Sequence, residues 1–550
     1  MKTTTVGRYL IHRLSEAGLR HLFGVPGDYV LDLMDRVVAS DIALVGTCNE
    51  LNAGYAADAY ARLNGIGGVC VTYGVGGLSA VNAAAGAYAE RVPVVFISGA
   101  PTSAQRLAHV HMHHLASTYE MQWEVYRKVT VDSAQLTNPL TAPDEIDRVI
   151  ANCLFEKLPV YIEIPVDMVD APCRVPAAMV LDRKRVSDAE ALKECVMEAV
   201  ALIRSADTPT ILVGVEVHRF GLAGRLLELV EKSGIPFATT LDGKSVLPER
   251  HPSFVGVYMG ALSREAVRAR VESSDALLTF GAMSTDVNTG GFTARFPEAN
   301  TVRANTEKVR IRNHYYDRVW LGDFISALTE ALSHRAYAAP HPRNPHDATG
   351  EYRVEPDRPL RVPRFYDRLN RFVDQDMILL TETGDAMFAG SEIYIEEREN
   401  FISQAYYLSI GYCLPATLGV CLARPEKRVM LLQGDGAFQM TAQELSTLLR
   451  HRCNPIIFLL NNDGYVIERL IHDGPYNDIQ QWHYHKLPEA FGGAALSLEV
   501  RTEGELEEAL DAAREHPDQL VFINLHLPRD EGSEALNRLA REVRRLQTGG

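Results

Sequence analysis

Two glycine-containing turns carry residue types that bind phosphate and a hard cation. The first is Gly434–Gly436 (Gly-Asp-Gly), and the second, 24 residues later, is Asn461–Gly464 (Asn-Asn-Asp-Gly). Glycine lets backbone amides approach a phosphate group closely. Asp435, the side-chain amide of Asn462 and a carbonyl near Gly464 offer the oxygen ligands that Mg²⁺ prefers. The spacing predicts a site for a pyrophosphate and Mg²⁺, and two unrelated tight turns are the alternative.

A second group of candidate residues is the histidine-rich hexapeptide 109–114, His-Val-His-Met-His-His. A helix would bring His109 and His113 to one face, whereas a strand would align His109, His111 and His113. The hexapeptide contains no HExxH pattern and has no pair of carboxylates beside it. From the residues alone, a metal site and ordinary surface or core histidines both stay open.

Apolar runs bounded by Gly, Asn or Pro predict the strands that position these turns. Continuous runs of this length are typical of strands that are buried on both faces of a parallel sheet. The runs are Val69–Tyr73, Val94–Ser98, Ile211–Val213, Leu277–Phe280, Val429–Leu432 and Ile456–Leu460. Amphipathic stretches of helical length, such as 222–233 and 442–450, lie between them. Open parallel sheets bind ligands at the carboxyl ends of strands, where both glycine-containing turns fall.

Two stretches break the hydrophobic pattern and predict linkers. Residues 171–190 combine two prolines with a run of charges, and residues 338–363 contain six prolines. They divide the chain into segments 1–175, 185–340 and 360–550, each of domain size. Because strands and helices alternate throughout, we predict three doubly wound α/β domains with mainly parallel sheets.

Composition and charge limit the class of protein. The 550 residues include 55 Lys and Arg against 71 Asp and Glu, so the net charge is −16. Such an acidic chain is not expected to bind nucleic acid or anionic membranes. No apolar run reaches the ~20 residues needed to span a bilayer, and residues 1–10 do not resemble a signal peptide. Eight scattered Cys without a CxxC pair favour a cytoplasmic protein.

The order of the motifs resembles the pyruvate and indolepyruvate decarboxylase family of thiamine-diphosphate enzymes. The family's members are non-oxidative 2-oxo acid decarboxylases, including those for phenylpyruvate and branched-chain 2-oxo acids. The adjacent histidine pair and the position of Glu468 are typical of this branch rather than of acetolactate synthases. The motifs that carry the resemblance are Gly24–Tyr29, Gly46–Asp58, Thr72–Gly76, His113-His114, Gly434–Gly436, Asn461–Glu468 and Tyr476–Gln480.

The resemblance implies a fold, a reaction and an assembly. Segment 1–175 would bind the pyrimidine of thiamine diphosphate, and segment 360–550 would bind its pyrophosphate and Mg²⁺. The Rossmann-like segment 185–340 lacks a GxGxxG motif, so no FAD, NAD or ADP is expected there. The implied reaction converts a 2-oxo acid to an aldehyde and CO₂. Active sites would lie at the dimer interface of a homodimer or homotetramer.

The resemblance also implies roles for individual residues. Glu50 would activate the aminopyrimidine, although a carboxylate at a helix N-terminus is a simpler interpretation of that residue. Ile410 would bend the cofactor, and the carbonyl of Leu408 would hold its exocyclic amine. The implied catalytic residues are Glu50, Asp28, His113, His114 and Glu468. The implied cofactor-binding residues are Glu50, Thr72, Thr383, Asp385, Leu408, Ile410, Gly434, Gly436, Ala437, Asn462 and Tyr465. The implied metal ligands are Asp435, Asn462 and the carbonyl of Gly464.

The implied substrate pocket is mainly apolar, which favours branched-chain or aromatic 2-oxo acids over charged ones. Candidate substrates are 2-oxoisovalerate, 2-oxoisocaproate, phenylpyruvate and indolepyruvate. Pyruvate decarboxylation and carboligation of the acetolactate-synthase type are the alternatives. The last predicted helix, 534–546, places Leu536, Leu539, Val543 and Leu546 on one face, and core packing explains this stripe equally well. The implied pocket residues are Asp286, Val287, Met387, Phe388, Ile467, Ile471, Leu539 and Val543.

Two departures from relatives bear on these expectations. Ala437 stands where some relatives carry a phosphate-binding Ser, so backbone amides must bind the phosphate there. Residues 214–219 lack the Cys that yeast-type pyruvate decarboxylases use for regulation. Activation of the enzyme by substrate through such a thiol is therefore not expected.

Overall fold

Three large sheets flanked by helices organise the protein and confirm the predicted α/β fold class. The computed structural model describes residues 3–176, 181, 183–338, 350 and 352–547. Each predicted segment contains one of the three sheets. The boundaries themselves stay predictions, since parts of both linkers lie outside the described residues. Within the described ranges, no helix combines the length and the apolar character needed to cross a membrane.

The N-terminal region is built on a parallel sheet. Its strands are β1 (Thr3–Thr5), β2 (His21–Gly24), β3 (Ala43–Gly46), β4 (Gly67–Val71), β5 (Val94–Ala100), β6 (Asp132–Gln135), β7 (Val160–Pro165) and β8 (Pro172–Arg174). The order is β3-β2-β4-β5-β7-β6, and β1 pairs with β8 in an antiparallel ribbon. The helices are Val6–Glu16, Leu31–Val38, Glu50–Asn64, Val75–Ala89, Ser103–Leu107, Met121–Val129, Ala142–Glu156 and Val166–Val169.

The middle region has a mixed sheet. Its strands are β9 (Thr210–Val213), β10 (Phe237–Thr240), β11 (Phe254–Tyr258), β12 (Leu277–Phe280), β13 (Thr301–Asn305), β14 (Lys308–Ile311) and β15 (His314–Asp317). The order is β11-β10-β9-β12-β13-β14-β15, and only the β13-β14 and β14-β15 pairs are antiparallel. The helices are Ala189–Ser205, Val215–Arg219, Ala223–Ser233, Glu265–Glu272 and Leu321–Ala331, with a 3₁₀ turn at Glu298–Asn300.

The C-terminal region has a second fully parallel sheet. Its strands are β16 (Met377–Thr381), β17 (Phe401–Ile402), β18 (Arg428–Gly434), β19 (Ile456–Asn461), β20 (Leu496–Val500) and β21 (Val521–His526), in the order β17-β16-β18-β19-β21-β20. The helices are Val362–Asn370, Asp385–Gly390, Cys413–Ala423, Asp435–Thr441, Leu445–Arg450, Val466–Ile471, Leu487–Ala490, Glu503–Glu515 and Glu534–Gln547. Short 3₁₀ turns span Ala442–Glu444, Pro475–Asn477 and Tyr484–Lys486.

Two predicted elements differ from those in the structure. The sequence predicts one helix over 442–450, whereas the structure has a 3₁₀ turn at Ala442–Glu444 before the α-helix that begins at Leu445. The strand predicted at 69–73 is β4, which begins at Gly67. A Cβ at Gly67 would lie 2.2 Å from the carbonyl oxygen of Ala57. Glycine at this position therefore lets the strand approach the helix and does not end the strand.

The N- and C-terminal regions share one hydrophobic core, whereas the middle region has its own. Their contact centres on helices Glu50–Asn64 and Cys413–Ala423. A Cβ at Gly419 would lie 2.0 Å from the carbonyl oxygen of Ala56, so glycine permits the close approach. The shared core holds the two sheets in a fixed relation within one chain.

Candidate active site

The predicted pyrophosphate and metal residues meet at the carboxyl edge of the C-terminal sheet. Strands β16, β18 and β19 are parallel neighbours, so the turns that follow them lie side by side. They surround a cavity of about 270 Å³. The cavity is lined by twelve of the predicted residues, namely Thr383, Asp385, Leu408, Ile410, Gly434, Gly436, Ala437, Asn462, Gly464, Tyr465, Ile467 and Glu468.

Asp435 joins the two glycine-containing turns. Its carboxylate accepts hydrogen bonds from the amides of Gly436, at 2.9 Å, and Gly464, at 3.2 Å. Burial raises the pKa of Asp435 to about 6, because a charged carboxylate loses its hydration there. Asn462 Oδ1 is buried and has no hydrogen-bond partner among the described residues. The paired turns thus present two oxygen groups of the type that binds Mg²⁺.

Arg469 fixes the shape of the second turn and was missed by sequence reasoning. Its buried guanidinium donates to the carbonyl oxygens of Asn462, at 2.9 Å, and Asp463. It also bonds Asp478 at 3.0 Å. Five donors in a planar fork allow one Arg to satisfy several carbonyls at once. Its position in the helix Val466–Ile471, directly after the motif, was the only available signal.

Two buried carboxylates flank the turn that follows β16. Asp385 accepts hydrogen bonds from the amide of Ser533, at 3.1 Å, and from the Ser533 hydroxyl, and burial raises the pKa of Asp385 to about 6. Glu382 accepts from the amides of Thr383 and Cys413, both at 3.0 Å, while burial raises its pKa to about 7. Thr383 Oγ1 is buried without a partner in the described chain.

Sequence reasoning assigned no role to Glu382 or Ser533. Glu382 directly precedes the motif residue Thr383, so its position in the chain was an available signal. The Ser533 contact joins positions 148 residues apart, and no local pattern could have shown it.

The loop with Leu408 and Ile410 is held by the N-terminal region of the same chain. Leu408 has a left-handed backbone, with φ of 58°. Glu90 Oε1 accepts hydrogen bonds from the amides of Tyr406, at 2.7 Å, and Tyr407, at 2.9 Å. The Tyr407 hydroxyl donates to Asn82 at 2.9 Å. The strained turn is therefore stabilised by side chains that are distant in sequence.

Glu50 begins the helix that packs against the C-terminal region. The Asn49 side chain caps this helix by accepting from the amide of Asn52 at 2.8 Å. Glu50 Oε1 lies 3.4 Å from the position that a Cβ would take on Gly76. Thr72 Oγ1 is buried and has no partner in the described part of the chain. Glu50 and Thr72 thus both approach Gly76, at the carboxyl ends of β3 and β4.

Asp28, His113 and His114 form a second cluster in the N-terminal region. His113 Nε2 lies 2.6 Å from Asp28 Oδ2, and the two imidazole rings are 4.8 Å apart. The Tyr29 ring stacks on His113 at 4.9 Å. The side chains of Asp28 and His113 are each 54% exposed. His109 and His111 are exposed and do not belong to this cluster.

The N-terminal candidates and the cavity are separate within one chain. Every residue that lines the cavity belongs to the range 362–527. Among the described residues, Glu50, Thr72 and the Asp28–His114 cluster do not line it. The structure therefore brings the predicted site residues together as two groups.

The predicted substrate-pocket residues lie mainly in one apolar cluster between the middle and C-terminal regions. This cluster includes Val287, Met387, Phe388, Ile467 and Leu539. Met387 is completely buried in it and does not line the cavity. The other candidates differ: Asp286 is exposed, while Ile471 and Val543 are partly buried. The Leu546 side chain lies outside the described side chains.

Comparison with known proteins identifies the family. Residues 4–122, 196–332 and 382–525 match the N-terminal, central and C-terminal domain models of thiamine pyrophosphate enzymes. The chain is 37% identical to an alpha-keto-acid decarboxylase of Mycolicibacterium paratuberculosis, covering 98% of this chain and 96% of that protein. The Mycobacterium leprae protein of the same name is 38% identical, covering 98% and 95%. The chain therefore belongs to the thiamine-diphosphate-dependent 2-oxo acid decarboxylase family.

Proposed function

We propose that the protein uses thiamine diphosphate and Mg²⁺ to convert a branched-chain or aromatic 2-oxo acid to an aldehyde and CO₂. The observation that carries this proposal is the cavity at the carboxyl edge of the C-terminal sheet. Its walls hold two buried oxygens that have no hydrogen-bond partner among the described residues, Asn462 Oδ1 and Thr383 Oγ1. A bound polar group would compensate for the cost of burying them.

Asp435, Asn462 and the carbonyl of Gly464 fit Mg²⁺. The three groups offer oxygen ligands, and phosphate oxygens would complete an octahedron. Positive charge beside the buried Asp435 carboxylate would offset the desolvation that now raises its pKa. A Cβ at Gly464 would lie 2.1 Å from the carbonyl oxygen of Asn477, so a side chain there would disturb the turn.

The remaining cavity residues fit the rest of the cofactor. A Cβ at Gly434 would meet nothing within 4 Å, which leaves room beside the backbone for a phosphate. Leu408 and Ile410, on the loop held by Glu90 and Asn82, line the same cavity. When bound, thiamine diphosphate supplies a carbon nucleophile and an electron sink for loss of CO₂.

The proton-handling groups come from both regions. Glu50 would hold a ring nitrogen of the cofactor, and the Asp28–His113 pair would move a proton to the carbon that lost CO₂. His114 would assist that pair, and Glu468 would face the substrate carboxylate from the exposed rim of the cavity. Two groups of residues on opposite walls allow proton removal and proton delivery at one reacting centre.

The separation of the two groups supports a homodimer with shared active sites, as dimer or as tetramer. Each chain would give its Glu50 region to the cavity of its partner. Coexpressing Glu50→Gln with Asp435→Asn chains tests this arrangement. In a hybrid dimer with shared sites, one site combines both changes and the other is intact, so activity returns. If each site forms within one chain, every site carries one change and the hybrid stays inactive.

The substrate class and the reaction type are tested by one assay. Ile467 belongs to the apolar cluster and also lines the cavity, which supports a preference for 2-oxoisovalerate, 2-oxoisocaproate, phenylpyruvate or indolepyruvate over pyruvate. Aldehyde release should be measured across this panel, first with both cofactors and then after chelation of Mg²⁺. Pyruvate as the best substrate would contradict the preference. Acyloin as the main product, with little free aldehyde, would instead favour a carboligase.

We further propose a cytoplasmic location, which the scattered cysteines of the sequence support. Fractionation of cells that produce the protein tests this proposal, and recovery from an extracellular or membrane fraction would contradict it.

A further inference from the structure

We propose that Asp28, His113 and His114 form a binding site for Zn²⁺ that is distinct from the Mg²⁺ site of the C-terminal region. One ligand atom from each of these residues lies within 4.8 Å of the other two. Ligands of a tetrahedral zinc ion lie about 3–4 Å apart, given bond lengths of about 2.0–2.2 Å. No separation in the cluster exceeds that range by more than about 1 Å, and Asp28 and His113 are exposed while His114 is partly buried.

The chemical types of the three ligands favour Zn²⁺ over Mg²⁺. Two imidazole nitrogens and one carboxylate oxygen suit Zn²⁺, whereas Mg²⁺ prefers an octahedron of oxygens. Three protein ligands also leave a fourth position open to water or to a substrate carboxylate. The same protein therefore offers an oxygen-rich site for one cation and a nitrogen-rich site for another.

The surroundings hold the ligands in place without filling the site. Tyr29 stacks on His113 and donates from its hydroxyl to the His113 carbonyl at 3.3 Å. His114 has a φ of 66°, and its carbonyl oxygen lies 2.2 Å from the position of a Cβ on Gly74. His114 Nδ1 is buried and lacks a hydrogen-bond partner in the described chain. Asp28 and His113 are half exposed, so an ion from solvent can reach them.

Zn²⁺ bound at this site would occupy the Asp28 and His113 side chains, so they could no longer transfer a proton. Binding of Zn²⁺ is predicted from the cluster alone, whereas inhibition by Zn²⁺ also rests on the proposed function. The two parts are separable, because binding can be measured without substrate or thiamine diphosphate.

Cobalt substitution provides the direct test. Co²⁺ should be titrated into the full-length protein without cofactor, and its visible absorption recorded. We expect one tetrahedral-type Co²⁺ signal per chain, displaced by stoichiometric Zn²⁺ and unchanged by excess Mg²⁺. His113→Gln, His114→Gln and Asp28→Asn should each weaken binding by more than about tenfold, since loss of even an outer-sphere partner costs roughly 10–100-fold.

Two control variants make the test specific. His111→Gln changes an exposed histidine of the same hexapeptide and should bind Co²⁺ like the wild type. Cys48→Ser removes an exposed thiol and should also leave the signal unchanged. Circular dichroism verifies that all variants are folded. Absence of a tetrahedral signal, a signal that persists in the three ligand variants, or one lost with Cys48→Ser would overturn the proposal.

Discussion

The two halves of the proposed site are built in opposite ways. The C-terminal half is buried: Glu382 and Asp435 are fully inaccessible, and each accepts several hydrogen bonds from its own chain. In the N-terminal half, the side chains of Asp28 and His113 are about half exposed and bond mainly to each other. The difference supports the proposed shared site, in which the buried half of one chain would bind the cofactor and the exposed half of a second chain would supply the proton-transfer groups.

The largest effect is expected from Glu50→Gln. Loss of the carboxylate removes a proton-transfer group, so kcat should fall by about 10²–10⁴-fold. Affinity for thiamine diphosphate, measured by calorimetry, should fall much less than kcat, because the C-terminal half would provide most of the binding groups. Equal losses of kcat and cofactor affinity would contradict this division of roles.

Arg469→Met should produce the next largest effect. The change removes charged hydrogen bonds to the carbonyls of Asn462 and Asp463. Each such bond contributes about 1.5–3 kcal/mol, so cofactor affinity should fall by roughly 10²-fold. Arg469→Lys keeps the charge but loses the planar fork, and an intermediate affinity is expected from calorimetry. Unchanged affinity in both variants would show that the second turn is rigid without this residue.

Glu382→Gln should change how stability depends on pH. The pKa of Glu382 is raised from 4.5 to about 7, so the folded state binds more protons than the unfolded state between these values. In the wild type, Glu382 therefore contributes about 3 kcal/mol to the free energy of unfolding at low pH. This contribution is lost as the pH rises through that window. Relative to wild type, the variant's unfolding free energy should increase from about pH 4.5 to about pH 8.

Urea unfolding of the cofactor-free protein across this pH range measures that difference. Glu503→Gln is a contrasting control, since the Arg364 guanidinium lowers the pKa of Glu503. In that case the stability contributed by the charge is present at high pH and is lost as pH falls. Parallel pH profiles for wild type and Glu382→Gln would contradict the assigned protonation of Glu382.

The smallest effect is expected from Tyr407→Phe. The variant loses only the hydroxyl bond to Asn82, which is worth about 0.5–1.5 kcal/mol. Because that bond helps to hold the loop with Leu408, cofactor affinity should fall by a few fold while kcat at saturation changes little. Asn82→Ala removes the acceptor of this bond, together with the bonds that Asn82 donates to Tyr55 and Ser409, and should lower cofactor affinity at least as much. A larger fall in kcat than in affinity would connect this loop to catalysis instead.

The residues of the proposed site differ in how far the sequence could predict their positions. Asp435 and Asn462 lie in short motifs directly after buried strands, so their meeting at one sheet edge follows from parallel pairing. Ser533 acts through a contact with Asp385, 148 residues away, and no local pattern shows it. Arg469 bonds residues 6 to 9 positions away, but these bonds depend on the folded shape of the turn and are not part of the motif. Gly67 has no local signal that distinguishes a helix contact from a strand boundary. The family resemblance gave the candidate residues and their division between the first and third segments, but not the contacts that hold each group in place.

The shared core of the N- and C-terminal regions has a consequence for biosynthesis. Residues such as Tyr412 and Leu414 complete the core around the helix that begins at Glu50. At about 5–20 residues per second, they are synthesised roughly 10–50 s after residue 175. During that interval the nascent N-terminal region presents an uncovered apolar helix face, whereas the middle region can close its own core at once. We therefore expect chaperone demand on the ribosome to fall mainly on the first third of the chain.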